Sequence, residues 1–298
     1  MKTSARGAGF LSLTGQDADP ETAGVVILPV PFERSSSYGW GSFRGPRAVL
    51  EASRELEEYD EELGEEIYHL CGGIATLEPM LFVNESAEQA VIRIQQRVTG
   101  LLDAGRYVVC LGGEHTCSLG PIRAFGAKHG GRLSILQLDA HGDLRDTYLG
   151  DPYNHACVMA RALEHVPHLV QVGVRAQSRE EAGRDWQGRV HTFPAHAIKT
   201  GALPGWQERV LECLGEQVYL TVDADFFDPS VIPAVGTPEP GGFFWYETLS
   251  FLRRLCRERT LVGFDLCELA PVDDVHHPDF TLARLVYKLI GYVWEHRR

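Results

Sequence analysis

The chain alternates short, unbroken apolar runs with segments of helical character. The runs are VVILPVPF (25–32), YVVCLGG (107–113), LSILQLDAH (133–141), LVQVGVR (169–175), VYLTVDAD (218–225) and LVGFDLCEL (261–269). None shows the apolar/polar alternation of a half-exposed sheet. Each therefore reads as a strand buried on both faces, as a parallel sheet covered by helices requires. Helix signals fall between the runs. Gly45-Pro46 opens RAVLEASRELEEYDEEL with proline near its first turn, and Ser86 with Gln89 makes a capping box ahead of AVIRIQQRVTGLLDAG, whose end Gly105 marks. The acidic run ELEEYDEELGEE (55–66) reads as the exposed face of a helix. The βαβα order, with no flexible spacer and no internal repeat, predicts a single α/β domain over residues 1–298.

Ligands of an open parallel sheet sit outside the carboxyl ends of its strands. Unusual polar residues gather at those ends: Gly112-Gly113-Glu114-His115, Asp139/His141/Asp143, Arg175, Asp223/Asp225 and Glu268. They predict one site. Asp139 and His141 are two apart on a strand, hence on one side of it, roughly 6.6 Å from each other along its axis. Gly142 permits a turn that returns Asp143. VDAD repeats the spacing with Asp223 and Asp225, and Asp228-Pro229 closes the turn beyond. A single DxH or DxD is most simply a solvated turn or a cap. Two of them at the ends of neighbouring apolar strands would bury carboxylates at heavy cost unless cations accompany them. Oxygen donors with imidazole and no thiolate favour Mn²⁺ over a structural Zn²⁺ or copper site, and that many ligands suits two ions ~3.5–4 Å apart.

Composition narrows the partners. Hydrophobic residues make up 44% and charged residues 23% of the 298, the proportions of a globular protein, and 41 acidic against 28 basic side chains give a net charge of -13. That field disfavours nucleic acid. No apolar run reaches membrane-spanning length and no leader pattern opens the chain, so the expected location is the cytoplasm. The seven cysteines contain no CxxC pair and read as reduced, mostly buried thiols, among them Cys117, Cys157 and Cys267 close to the candidate site. His165, His168, His276 and His277 read as surface residues in loops. Phe243, Phe244, Trp245 and Tyr246 read as packing at a helix start.

The motifs GGEHT (112–116), DAHGD (139–143), NHA (154–156), VDADFFDPSVIPAVGTPEPGG (222–242) and FDLCELAP (264–271) resemble the ordered signature set of the ureohydrolases, the arginase and agmatinase superfamily. SYGWGSFRGPRAVLEASRELEEYD is similar to agmatinase-type members. The resemblance implies a three-layer α/β/α fold on a parallel sheet of about eight strands. It further implies two Mn²⁺ ions, one on His115, Asp139, Asp143 and Asp223 and the other on Asp139, His141, Asp223 and Asp225, with a hydroxide between them as nucleophile. Glu268 would orient the guanidinium, Asp143 would accept the proton of the hydroxide, and His155 would pass a proton to the leaving amine. The chain also departs from the family. Glu114 replaces a more usual Asp, a like-charge change expected to matter little. Arg145 and Ser178 stand where arginases hold the substrate's α-carboxylate and α-ammonium. Agmatine, hydrolysed to putrescine and urea, is thus the expected substrate. Aminopropylagmatine, guanidinobutyrate, another guanidino compound or a formiminoglutamate-type substrate is the alternative. Arg145 would receive a carboxylate in a guanidino acid, while Glu181 and Asp146 are candidates for a distal ammonium. The family resemblance also implies a trimer or hexamer.

Overall fold

The computed structural model describes Thr3 and residues 8–297. Its first strand is β1 (Val25–Val30), and β2 (Tyr59–Asp60) pairs with β3 (Glu65–Glu66) in a small antiparallel hairpin. The rest are β4 (Ile74–Thr76), β5 (Tyr107–Gly112), β6 (Leu133–Leu138), β7 (His168–Val172), β8 (Val190–Phe193), β9 (Gln217–Asp223) and β10 (Thr260–Cys267). These seven join β1 in one eight-stranded sheet of order β4-β1-β5-β10-β9-β6-β7-β8, parallel throughout.

The helices are α1 (Gly45–Ser53), α2 (Ile67–Leu70), α3 (Ala87–Asp103), α4 (Leu119–His129), α5 (Val158–Ala162), α6 (Arg179–Gly183), α7 (Ala195–Lys199), α8 (Trp206–Cys213), α9 (Trp245–Glu258) and α10 (His277–Glu295). Successive strand residues face opposite layers. Val25 and Ile27 of β1 pack in one apolar cluster with α1, α8, α9 and α10, whereas Val26 and Leu28 pack in a second with α3, α4 and α5. Both faces are covered, which explains why the strand runs lack alternation. This is the expected three-layer α/β/α arrangement around a parallel sheet. Among the described residues no helix is long and apolar enough to cross a membrane.

The six apolar runs are all strands, each ending before its polar tail except β9, which includes Asp223. β4 and β8 were not expected. They are edge strands of three and four residues, too short for a periodicity signal. The capping box at Ser86 forms, with its hydroxyl accepting the Gln89 N–H, and Gly105 follows the helix with φ +73°.

The acidic run differs from its expected form. Helix α1 stops at Ser53, and residues 59–66 make the β2–β3 hairpin. Asp60 is fully buried; its Oδ1 accepts the N–H groups of Glu62 and Leu63, and its Oδ2 lies 2.9 Å from Lys288 Nζ on α10. A tertiary ion pair and a local side-chain turn, with Gly64 at φ +68°, therefore override helix propensity here.

Candidate metal centre

The four central strands, β5, β10, β9 and β6, deliver the polar residues to one place. β5 runs into Gly113-Glu114-His115. A Cβ on Gly113 would stand 2.1 Å from the Phe32 carbonyl oxygen, so only glycine lets the 31–35 loop close over this strand end. β10 ends at Cys267 and is followed by Glu268, whose N–H donates to the Gly113 carbonyl at 2.8 Å. β9 ends at Asp223, and Asp225 follows in a single 3₁₀ turn.

The DAHGD segment departs from its expected geometry. β6 ends at Leu138, so Asp139 and His141 lie beyond the pleat; they are joined by a turn in which Asp139 Oδ1 accepts the His141 N–H at 2.6 Å. The residue that reverses the chain is Asp143 itself, with φ +53°, and not Gly142. Glu268 is also left-handed, at φ +63°. Non-glycine residues in that region cost about 1–3 kcal/mol each, a strain that neighbouring contacts must hold in place.

The side chains converge closely. His115 Nδ1 lies 3.1 Å from Asp139 Oδ2, 2.9 Å from Asp143 Oδ2 and 3.4 Å from Asp223 Oδ2. His141 Nδ1 lies 2.8 Å from Asp225 Oδ2 and 3.7 Å from Asp139 Oδ1. Asp139 thus faces both imidazoles. All four aspartates and His115 are buried. Three groups of potential ligand atoms result among the described residues, His115/Asp139/Asp143, Asp139/His141/Asp225 and His115/Asp223/Cys267. Cys267 completes the third group, and in the protein alone burial pushes its thiol well above the usual range.

The electrostatics describe a site built for cations. His115 Nδ1 is buried and makes no hydrogen bond. On the other side of the ring, Nε2 lies 3.0 Å from Thr221 Oγ1, whose own hydrogen is directed to Asp265 Oδ1 at 2.7 Å. Nε2 therefore carries the proton in the neutral ring, and the Nδ1 lone pair points at three carboxylates. Only a proton or a metal ion relieves that arrangement. In the protein alone protons do so. Burial opposes charge on His141, yet Asp225 and Asp139 push it up to about 12, and neighbouring anionic groups likewise raise His115. Burial, reinforced by Asp139, pushes Asp143 up to about 6, and burial with Asp225 and Asp139 raises Asp223 well above the carboxylate range. Hard oxygen and imidazole donors in this geometry suit divalent ions.

Beneath the ligands runs a row of polar side chains that the sequence reading missed. Asp265, Thr221, Gln137, Gln171 and Thr192 are register partners across β10, β9, β6, β7 and β8. Asp265 accepts from Tyr219 and Ser118 as well as Thr221, at 2.6 and 2.8 Å for the first two. Gln137 Nε2 donates to Asp139 Oδ2 at 2.7 Å, Gln171 Nε2 donates to Gln137 Oε1 at 2.6 Å, and Thr192 donates to Gln171 at 2.9 Å. The row orients His115 through Thr221 and Asp139 through Gln137, the role that outer hydrogen bonds play in metal sites. Four of its members, Asp265, Thr221, Gln137 and Gln171, show in the sequence as a polar residue inside an apolar run, and Thr192 lies in the short edge strand β8.

A cavity of about 310 Å³ opens over the ligands, lined by His141, Asp143, Asp223, Asp225, His155 and Glu268 together with Tyr38, Arg145, Tyr148, Glu181 and Glu239. Glu268 Oε1 accepts the His115 N–H at 2.7 Å. His155 stands on the loop after β6; burial, then the charges of His115 and His141, hold it down at about 4. Arg175 does not line this cavity. Its guanidinium donates to the carbonyls of Gly173, Asp225, Phe227 and Glu239, and so ties β7 to the loop after β9. Asp228 fastens the same loop by accepting from Ser230, Gly241 and Gly242, which holds its carboxyl at about 2.

The two candidates for a distal ammonium are already engaged. Glu181 accepts the N–H groups of Leu144 and Ser178 and lies 3.6 Å from Arg145 Nε, while Asp146 pairs with Arg161. Glu114 does more than a like-charge replacement suggests, since its carboxylate accepts from the Arg34 and Ser35 N–H groups and from the Ser35 hydroxyl. His165, His168, His276 and His277 are exposed as expected, although His168 begins β7 and His277 begins α10. Of the four aromatic residues after PGG, Phe243 is fully buried, stacked on Phe226, and Phe244 and Tyr246 are exposed.

Fold and site together define a hydrolytic enzyme of the α/β/α class with a carboxylate–imidazole metal site at the carboxyl edge of its sheet. The chain belongs to the arginase family, whose sequence model matches residues 23–291, and within it to the ureohydrolases, which cleave guanidino C–N bonds. It is 40% identical over 281 residues to the N(1)-aminopropylagmatine ureohydrolase of Synechocystis, covering 93% of this chain and 91% of that protein. It is 30% identical to the agmatinase of Pyrococcus horikoshii over 92% of this chain and 93% of that one. The crystal structure of the agmatine ureohydrolase of Thermoplasma volcanium superposes with a TM-score of 0.84 at 29% identity, over 95% of this chain and 94% of that one.

Proposed function

We propose that the protein hydrolyses a cationic guanidine that lacks a carboxylate, N1-aminopropylagmatine in the first place, releasing urea and an amine. The observation that carries this reading is the charge of the cavity wall. Among the described lining residues the one arginine, Arg145, is offset by Glu181 and stacked 4.8 Å over the Tyr148 ring, so it is a poor receptor for a guanidino acid. Glu239, by contrast, lines the cavity with a carboxylate that has no hydrogen bond or ion pair to a described residue. Its backbone carbonyl is held by Arg175 at 2.8 Å. A carboxylate with no direct partner, carried on an anchored backbone and sensing Arg175 only at longer range, suits a distal ammonium. The 40% identity to aminopropylagmatine ureohydrolases favours the longer substrate, and agmatine is the second reading, supported by the agmatinases among the relatives.

The roles are those that the family resemblance implies, and the convergence of these side chains supports them. Two divalent ions, Mn²⁺ by ligand type, would be held by His115, Asp139, Asp143 and Asp223 and by Asp139, His141, Asp223 and Asp225; when bound they lower the pKa of water toward ~7 and supply countercharge to the developing tetrahedral carbon. Glu268 keeps one oxygen on the His115 N–H and offers the other to the guanidinium. Asp143, whose Oδ2 lies 2.9 Å from His115 Nδ1 on the cavity wall, would accept the proton released as the nucleophile attacks. His155 delivers a proton to the departing amine. Assaying urea release by the Mn²⁺-loaded protein with N1-aminopropylagmatine, agmatine, guanidinobutyrate and arginine tests the proposal. The expected order of kcat/KM puts the two polyamine precursors first, and Glu239→Gln should raise KM for both while sparing kcat. Preference for guanidinobutyrate or arginine, or no urea from any of them, would overturn it.

A further inference from the structure

Ser35, Glu114 and His155 form a directed chain of hydrogen bonds that runs from the fully buried Glu114 to His155 on the cavity wall. Ser35 Oγ lies 2.9 Å from Glu114 Oε1, 3.1 Å from His155 Nδ1 and 2.9 Å from the His155 backbone nitrogen. Glu114 Oε2 already accepts two backbone donors, Arg34 N–H at 2.8 Å and Ser35 N–H at 2.6 Å. A hydroxyl has one hydrogen and two lone pairs. A carboxylate can only accept, so the Ser35 hydrogen goes to Glu114, and both lone pairs are left to receive the His155 N–H and the ring. The ring must then donate from Nδ1. In the opposite arrangement the Ser35 hydrogen would face His155, and Glu114 Oε1 would confront an oxygen lone pair at 2.9 Å. His155 Nε2 makes no hydrogen bond to a described residue, and the ring lines the cavity.

We propose that Glu114 and Ser35 are positioning residues which hold neutral His155 as its Nδ1–H tautomer, so that Nε2 is the atom that exchanges a proton with the leaving amine. This rests on the proton-relay role given to His155 above and adds which nitrogen acts and what selects it. The longer side chain at position 114 has a purpose on this account. An aspartate would be one methylene shorter and could not span to the 34–35 loop from the same backbone position. The carboxylate therefore acts on the reaction through two intervening groups without touching substrate.

An isosteric change inverts the chain. In Glu114→Gln the amide oxygen is needed by the two backbone donors, so its NH₂ faces Ser35 and turns the Ser35 hydrogen toward His155, which selects the Nε2–H tautomer. The test is ¹⁵N NMR of the full-length protein labelled at histidine nitrogens and loaded with diamagnetic Zn²⁺, the signals of position 155 being identified by their loss in His155→Gln. The expected result is a protonated Nδ1 in the wild type and a protonated Nε2 in Glu114→Gln. In the Mn²⁺ enzyme kcat should fall about 10- to 100-fold with KM unchanged. Ser35→Ala should lose kcat similarly and Ser35→Thr, which keeps the hydroxyl, should restore it; this pair decides the matter if Glu114→Gln does not fold. A protonated Nε2 in the wild type, an unchanged tautomer in folded Glu114→Gln, or full kcat in Ser35→Ala would overturn the proposal. Because the tautomer is read without substrate, an enzyme that released no urea would sink the functional reading and the relay role of Nε2, whereas the NMR result would still decide whether Glu114 and Ser35 select the tautomer.

Discussion

Replacing Thr221 by valine tests whether the buried polar row sets the metal site. The side chains have nearly the same shape, so packing at this fully buried position is preserved and only the hydroxyl is lost. The two short hydrogen bonds disappear, the one received from His115 Nε2 at 3.0 Å and the one given to Asp265 at 2.7 Å, together with the longer contact to Ser118 Oγ at 3.3 Å. Asp265 keeps Ser118 and Tyr219 as donors, at 2.8 and 2.6 Å. His115 keeps nothing at Nε2, and an orphaned buried donor costs about 1–3 kcal/mol. The same bond holds the Nδ1 lone pair toward the ions. Loss of such an outer partner weakens metal binding about 10- to 100-fold, or ~1.4–2.8 kcal/mol, a range that agrees with the hydrogen-bond figure. Titration calorimetry of metal-free protein with Mn²⁺ should therefore give a higher Kd for Thr221→Val and a near-normal one for Thr221→Ser. Urea denaturation of the metal-free forms should show a loss of about 1–3 kcal/mol for valine alone. A wild-type Kd in folded Thr221→Val would refute the assignment of the row as the device that aims His115.

Further expectations concern charge and burial. Lys288→Met strands the fully buried Asp60 without its partner at 2.9 Å, and denaturant melts should register a loss of about 3–5 kcal/mol, partly recovered by adding Asp60→Leu. His155, held at about 4 by burial and by the His115 and His141 charges, is favoured in its neutral form by the fold. Its contribution is complete above the unfolded value of 6.5 and is lost as pH falls toward 4, so the metal-free protein should lose up to about 3 kcal/mol over that window, and His155→Gln should remove this part of the slope. Burial lifts the Cys157 thiol to about 11 and those of Cys117 and Cys267 well above their ordinary value, so iodoacetamide at neutral pH should leave all three unmodified by mass spectrometry and urea release intact.

The sheet was legible in the chain because six strands carry continuous apolar runs, and the convergence of the candidate ligands because they follow those runs at their carboxyl ends. What escaped had physical reasons. β4 and β8 are edge strands of three and four residues, below the length at which a period can be counted. The hairpin at 59–66 depends on Lys288, more than two hundred residues away, which no local pattern encodes. Gly142 drew attention as a turn former, but a glycine does not state which neighbour takes the strained conformation, and here Asp143 does. Ser35 and Glu114 were separated by 79 positions, and the length of a carboxylate side chain acquires meaning only once the 31–35 loop is seen lying over β5.

The polar row also bears on how the sheet finds its alignment. Parallel strands made of valine, leucine and isoleucine offer many nearly equivalent pairings, and a slip by one residue turns every side chain to the opposite face. Gln137 is flanked by Leu136 and Leu138, and Thr221 by Leu220 and Val222. A slipped β6 or β9 would drive an amide or a hydroxyl into the apolar layer beneath α8 and α9, and leave Asp265 and Gln171 without their partners. The row thus acts as a proofreading mark, in that only the pairing which lines up these five side chains is free of buried mismatches, and that same pairing brings the ligands of the metal centre to one level.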